Sequence, residues 1–501
     1  MSTAVKLRKD HPTEPIDEPP HKAARTNSTK TTKKEEDVVE ETERKEEMLI
    51  WPAPPEQIEV ARKFILEALI LPVLFPCTIV ADIYSAQPES NVLLVPDRDT
   101  DGLSAGTIMS LTLRILSKKP LSSIHTHFVQ QGQNVFNDGE KKLMTSVCKE
   151  KKITHMIIVD QGSRKSPPLL DETQVSTKVL IIDHHHSDHF PENSTIVNAC
   201  NHKPIATSSL LTYVICKPLH KDIEKETVWA AILGIFGDLG ATTKLVPPYP
   251  DELAAAKKTY TAKHITDLVG LLNAPRRTPE CSTFDAWELL QREPYQTPEV
   301  TPKMIMKGEW KEDKLQKLRI ASARIKEAVE AWTRTPPRFS RDGKVCMIYI
   351  ESGFQIHGII AIRWASHMGN DNCKMVMCAN GAYVKGRVNF SCRVARTRGK
   401  PTAEGQYDDV DIIKMLKDFA AKDPWLLENI GTEFANGHKH ASGGSLSREV
   451  WEVFAEKGLE MMKKGERPEK AGKDKKSPKR SPQKNTMDSW LIKEPGSSKY
   501  L

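Results

Sequence analysis

Three short apolar runs in the first half of the chain, at 91–96, 156–159 and 179–182, each stop at an aspartate: Asp97, Asp160 and Asp183. Each run is too short for a helix, and helix-like segments lie between them, so the pattern predicts alternating strands and helices and a parallel sheet. Ligands of open α/β sheets bind beyond the carboxyl ends of the strands, and three acidic stops there predict one shared site. Apolar residues at helical spacing (Ile58, Ala61, Phe64, Ile65, Ala68, Leu69) predict a first helix over 56–70, and 104–113 reads as a helix entering the core. The stretch 247–302, rich in Pro and Thr, reads as an irregular insertion. A long amphipathic helix over 312–332, ended by Pro336 and Pro337, reads as a connector. Strand-like runs at 345–350, 374–378 and 388–394, with helices near 359–367 and 448–462, predict a second, smaller α/β segment.

With 501 residues the chain exceeds what one core holds, roughly 250 to 300 residues. The formal net charge is +7, and 463–484 alone carries ten basic and three acidic residues, again +7. The remainder is neutral, so a polyanion must be handled by a local groove or a metal rather than by a global positive field. Residues 1–47 have almost no large apolar side chains, and the region from 463 onward is low in complexity; both read as disordered tails. Nine cysteines without a CxxC pair predict a reducing compartment. The most apolar stretch, 64–84, is broken by Glu67, Pro72, Pro76 and Asp82, which argues against a bilayer span, and the N-terminus shows no apolar leader. The expected location is the nucleus, with the cytoplasm as alternative, and no membrane partner is expected.

Asp97-Arg-Asp99-Thr-Asp101-Gly102 offers three carboxylates at alternate positions after a strand. Their mutual repulsion is relieved by a multivalent cation; the plainer alternative is a polar loop that caps the next helix. An EF-hand fits less well, because the bidentate Glu of that loop is missing. Asp183-His184-His185-His186 adds imidazoles to carboxylates, a mixture that favours Mn, with Mg as the alternative. A lone histidine there would be structural; three behind an Asp, with Asp160 and the Gly234-Ile-Phe-Gly237-Asp238 segment elsewhere, point to a metal site. Several carboxylates can hold two divalent ions about 3.5–4 Å apart, a pair suited to phosphoester hydrolysis.

These residues resemble the DHH phosphoesterases, in particular the RecJ-like branch with its C-terminal DHH-associated domain. Asp97 to Gly102, Ile158-Val-Asp160-Gln-Gly162-Ser163, Asp183-His184-His185 and Gly234 to Asp238 stand in the order of that family's four motifs. Ile196-Val-Asn198 and Ala206-Thr-Ser208-Ser209 resemble the continuation of the third. The resemblance spans about 91–444. It implies a two-domain α/β fold: disordered tail 1–47, catalytic domain 48–245, insertion and connector 246–340, associated substrate-binding domain 341–462, basic disordered tail 463–501. It further implies that Asp97, Asp99, Asp101, Asp160, His184 and Asp238 bind two divalent cations, with Asp160 as bridge. His185 would meet the scissile phosphate or assist proton movement, with Asp183 orienting a histidine, while His186 receives no role.

In the second segment, Asn436-Gly437-His438-Lys-His440-Ala441-Ser442-Gly443-Gly444 resembles the glycine-rich signature of the associated domain, which holds a substrate phosphate or terminal nucleotide. Gly437, His438, Gly443 and Gly444 are the implied contacts; the plainer alternative is an ordinary turn. Phe390-Ser391-Cys392-Arg393 resembles the strand that presents an arginine to phosphate, naming Ser391 and Arg393, and Gly358-Ile-Ile-Ala361-Ile-Arg363 resembles the adjoining helix start.

In the basic tail, Ser477 and Ser481 each precede a proline, and the run reads as an import signal, a DNA arm or a solvated tail, with phosphorylation removing about half of its charge. Met487, Trp490 and Leu491 resemble a degenerate sliding-clamp-binding peptide in which Lys484 replaces the usual glutamine. The leading expectation is a metal-dependent phosphodiesterase acting from an end on single-stranded DNA or RNA. The alternatives are the same chemistry on small nucleotides or polyphosphate, and a replication scaffold without catalysis.

Overall fold

A computed structural model describes residues 51–69, 91–118, 124–280, 282–296, 299–368, 372–395 and 410–463. The 1–47 tail, Ser477, Ser481 and the Met487, Trp490, Leu491 peptide lie outside the described residues, as do residues 70–84 of the apolar stretch.

Five strands form the first sheet: β1 (Asn91–Pro96), β2 (Ile124–Thr126), β3 (Ile153–Val159), β4 (Lys178–Asp183) and β5 (Ser194–Asn198). Their order is β2-β1-β3-β4-β5 and every pairing is parallel. Period-two alternation explains why the runs are continuously apolar. Val92, Leu94, Ile157, Val159, Leu180 and Ile182 enter one core, while Leu93, Val95, Met156, Ile158, Val179 and Ile181 enter another on the opposite face. Helices Pro55–Glu67, Thr100–Ser117, Ser208–Cys216 and Ile223–Asp238 cover the first face, and Met144 and Cys148 of helix Asp138–Glu150 cover the second.

The expected irregular insertion is helical instead. Helices Asp251–Tyr260, Ala262–Leu272, Thr283–Leu290 and Pro302–Lys307 place Leu253, Leu268, Leu272, Leu289 and Ile305 in the first core. Its prolines sit between helices or at their starts, as at Pro302, where a missing N–H costs nothing. Helix Glu312–Thr333 connects the lobes: Leu315 and Leu318 belong to the first core, Ile325 and Val329 to a core of the second lobe.

The second sheet is mixed, with order β10-β11-β9-β8-β7-β6. Its strands are β6 (Arg338–Phe339), β7 (Val345–Ile350), β8 (Met375–Asn380), β9 (Arg387–Val394), β10 (Asn436–His438) and β11 (Ala441–Ser447), and only β7 and β8 pair in parallel. In β9 alternation sends Val388, Phe390, Cys392 and Val394 to the core and leaves Arg387, Asn389, Ser391 and Arg393 on the other face. Helix His357–His367 packs on that sheet, with Ile360 and Ala361 buried. Among the described residues no helix is long and apolar enough to cross a membrane.

Candidate metal centre

The acidic stops meet at the carboxyl ends of the parallel strands. Asp99 is the N-cap of helix Thr100–Ser117, accepting hydrogen bonds from the amides of Asp101 (3.1 Å) and Gly102 (3.2 Å). The capping alternative therefore holds for this residue together with its place in the acidic cluster. Gly102 is required by close approach: a Cβ there would stand 2.7 Å from the Asp97 carbonyl oxygen. Asp101 is fully buried and accepts from the amides of Ser208 (2.7 Å) and Ser209 (3.1 Å) at the start of helix Ser208–Cys216. Asp160 takes φ 64°, a left-handed conformation uncommon outside glycine and more readily adopted by aspartate than by most residues. The Ser208 hydroxyl donates to its Oδ1 at 2.9 Å.

His184 Nε2 lies 3.1 Å from Asp238 and 3.4 Å from Asp160. Asp238 ends helix Ile223–Asp238, which comes close because residue 234 is glycine; a Cβ there would collide with Ser209 Oγ and crowd Asp101. The donor atoms form three overlapping groups, each within 4.8 Å: Asp97, Asp99 and Asp160; Asp160, His184 and His185; Asp101, His184 and Asp238. Asp160 and His184 are each shared by two groups, so these residues could hold more than one ion.

Crowding shows in the protonation equilibria. Burial, together with Asp101, Asp99 and Asp238, raises Asp160 well above the carboxylate range. Burial and Asp99 raise Asp97, and burial and Asp238 push Asp101 up to about 7. Such repulsion is what a bound cation relieves, and hard carboxylates with one or two imidazoles fit Mn or Mg. Asp183 stands behind: it accepts from the amides of Ser163 and His184 and, at 2.8 Å, from His185 Nδ1. Burial opposes its charge, but His185 outweighs this and holds it at about 2; burial likewise opposes the His185 cation, and Asp183 lifts it to about 10. Asn198 steadies the pair by donating to Ser163 Oγ and to the His185 carbonyl.

Ser391 and Arg393 sit together on β9, with Arg393 Nη1 donating to Ser391 Oγ at 2.9 Å. The glycine-rich segment is a β-hairpin rather than an open loop, and Gly443 pairs with Ser391 while Ala441 pairs with Arg393. Its glycines are accounted for by packing. Gly437 has φ +117°, a Cβ on Gly443 would stand 2.4 Å from the Phe390 carbonyl oxygen, and one on Gly444 would stand 2.6 Å from that of Glu433. His438 lies in β10, and its side chain is outside the described set.

Arg276 and Arg277 are not among the residues that the sequence singles out. Asn273, at the end of helix Ala262–Leu272, accepts from the Thr100 amide at 3.1 Å and so sets the following turn beside the acids. Arg276 Nη2 is 3.5 Å from Asp99, and its buried Nε has no hydrogen-bond partner. Burial opposes its charge, while Asp99 and Asp97 hold it cationic. Asn273-Ala-Pro-Arg-Arg277 carries a signal, adjacent arginines after a helix, masked by the Pro- and Thr-rich surroundings.

Together these features define a two-lobed α/β protein with a cluster of carboxylates and histidines that could hold a metal, with Arg276 beside it. Residues 91–235 match the model of the DHH family, N-terminal domain, so this part of the chain is a DHH-family domain. Similar solved structures include RecJ in complex with Mn2+ from Thermus thermophilus, at 16% identity and TM-score 0.53, covering 82% of this chain and 55% of that one. The chain thus spans about half the length of that RecJ. A DHH domain from a member of a family of ribosomal proteins aligns at 13% identity and TM-score 0.51, covering 86% and 99%. Exonuclease RecJ bound to manganese aligns at 14% identity and TM-score 0.49, covering 81% and 94%. No curated protein matches the chain in sequence.

Proposed function

We propose that this chain is a divalent-metal-dependent phosphodiesterase that hydrolyses single-stranded nucleic acid or short oligonucleotides from an end. The observation that carries the reading is the convergence of Asp97, Asp99, Asp101, Asp160, His184 and Asp238 on one strand-end site, next to Arg276 and Arg277. Asp97, Asp99, Asp101, Asp160, His184 and Asp238 would hold the ions, with Asp160 and His184 each belonging to two of the donor groups. Two bound divalent ions supply activation of water and stabilisation of charge on the phosphoryl oxygens.

The chain's own residues do the rest. Asp183 fixes His185 through Nδ1 and favours its cation, leaving Nε2 to meet the scissile phosphate or return a proton to the leaving oxygen. Arg276 neutralises charge beside Asp99. Ser391 and Arg393, with the hairpin of Gly437, His438, Gly443 and Gly444 as a DHH-associated element, hold the strand's terminal phosphate or nucleotide.

The test is a panel of end-labelled DNA and RNA single strands digested with purified protein and Mn. A ladder receding from one end supports the proposal and reports polarity and sugar preference together; intact strands refute it. The neutral charge of the chain outside 463–484 supports a second reading, a small phosphoester such as a bisphosphorylated nucleotide, a cyclic dinucleotide or polyphosphate, and the same assay on those compounds decides between them. A nuclear location and sliding-clamp docking through Met487, Trp490 and Leu491 belong to the proposal as well, and removal of the tail is their test.

A further inference from the structure

Away from the acidic centre, one carboxylate is held by both lobes at once. Glu433, between helix Pro424–Asn429 and β10, accepts from Asn134 Nδ2 of the first lobe at 2.8 Å and from Arg387 Nη2 of β9 at 2.8 Å, one oxygen for each. Ser445 of β11 aims the arginine: its Oγ accepts from Arg387 Nε at 2.8 Å and its carbonyl from Nη2 at 2.8 Å. Asn134 is aimed by its own loop, since its Oδ1 accepts from the Phe136 amide at 2.9 Å. Arg164, which follows the second acidic motif, sets its guanidinium 4.1 Å from the centre of the Phe136 ring and supplies a further positive charge toward Glu433. The side chains of Arg387 and Glu433 are 38% and 26% exposed, so the pair is open to a ligand.

An arginine fork and an amide donor that converge on a carboxylate suit the oxygens of a phosphodiester as well. A partly exposed ion pair is held weakly, so a phosphate can displace the carboxylate. The backbone of Glu433 need not move, because its carbonyl accepts from the Ser445 amide at 2.9 Å; only the side chain turns away. Other contacts keep the lobes together meanwhile: Gly132 packs on Val384, where a Cβ would stand 2.6 Å from Cγ2, and the Gln355 amide donates to the Arg277 carbonyl at 2.9 Å. Arg387 shares its face of β9 with Ser391 and Arg393 and lies about 20 Å along the strand from Arg393.

We propose that Arg387 and Asn134, flanked by Arg164, form a subsite for an internal phosphate of the bound strand, and that Glu433 fills this subsite in the free protein and yields it to a strand long enough to reach it. One anion replaces another on the same donors, and no covalent bond changes. The inference rests on the reading of the chain as a nucleic-acid phosphodiesterase and deepens it. A small phosphoester cannot span the distance between Arg393 and Arg387, so the contact is reserved for oligonucleotides.

The test is fluorescence anisotropy with the full chain, without divalent ion and over a range of salt, on a thymidine dinucleotide and a dodecanucleotide labelled at either end. Arg387→Gln is expected to weaken the dodecanucleotide about tenfold and to lower the slope of its salt dependence by about one. Glu433→Gln keeps the shape and removes the competing charge, so it is expected to tighten the dodecanucleotide about threefold or more. In the Arg387→Gln background the same change is expected to add nothing, and the dinucleotide is expected to respond to neither. A carboxylate that merely braces the lobes gives the opposite sign: Glu433→Gln then weakens the dodecanucleotide or leaves it unchanged, and either result overturns the subsite, as does unchanged binding in Arg387→Gln. The nucleic-acid reading survives those results, whereas binding of neither probe by the wild type overturns it too. Should Glu433→Gln fail to fold, the affinity and salt slope of Arg387→Gln still decide.

Discussion

At the scale of single residues, the centre tolerates almost no added volume. A Cβ at position 234 would stand 2.1 Å from Ser209 Oγ and 2.6 Å from Asp101 Oδ1. Gly234→Ala is therefore expected to destabilise the chain by about 1–3 kcal/mol and to abolish activity by displacing helix Ile223–Asp238 from Asp101, measured by denaturant unfolding and by hydrolysis. Asp183→Asn tests a different property, because it keeps the shape but removes the charge that holds His185 protonated. Activity is expected to fall on the order of 10²-fold or more with metal affinity retained, read by turnover beside a metal titration. His357 supplies a stability test. Its folded-state pKa is depressed from 6.5 to about 4, so the unfolded chain gains a proton first as pH falls. Stability is then lost between pH 6.5 and 4, by about 3 kcal/mol in all, and is unaffected above that window. In His357→Gln the unfolding midpoint is expected to fall less steeply over this range.

At the scale of elements, the parallel strands were legible because burial on both faces writes continuous apolar runs, and the acidic stops marked their functional ends. β2 and β5 carried no such signal: Ile124–Thr126 has only three residues, and Ser194–Asn198 is partly exposed and polar at its start. The helices within 251–307 were hidden because local punctuation by Pro and Thr says nothing about long-range packing against helices Thr100–Ser117 and Ile223–Asp238. Three of the acidic and histidine motifs follow strand ends and the fourth, Gly234 to Asp238, closes a helix and was named by its resemblance, whereas Arg276 and Arg277 are set beside the centre by the bond from the Thr100 amide to Asn273. The glycine-rich segment could be named but not shaped, since a cradle and a tight hairpin ask for the same residue. Asn273→Ala should leave the buried Thr100 amide without a partner, costing about 1–3 kcal/mol and releasing Arg276 from Asp99. Urea unfolding is expected to show the loss together with a raised KM.

At the scale of the whole molecule, the lobes meet along a line of specific contacts. The Gln355 amide donates to the Arg277 carbonyl at 2.9 Å, and Asn134 to Glu433 at 2.8 Å. Glu433 also pairs with Arg387 of β9, so these contacts set the distance between the acidic centre and the arginine-bearing face of β9. The central claim is that the acids and His184 grip a pair of divalent ions, and titration calorimetry with Mn2+ of the wild type and of Asp160→Ala tests it most directly. The account predicts two ions per wild-type chain, and loss of at least one of them in the variant with folding intact. A wild-type chain that takes up none at saturation, or an Asp160→Ala chain that binds as the wild type does, would contradict it.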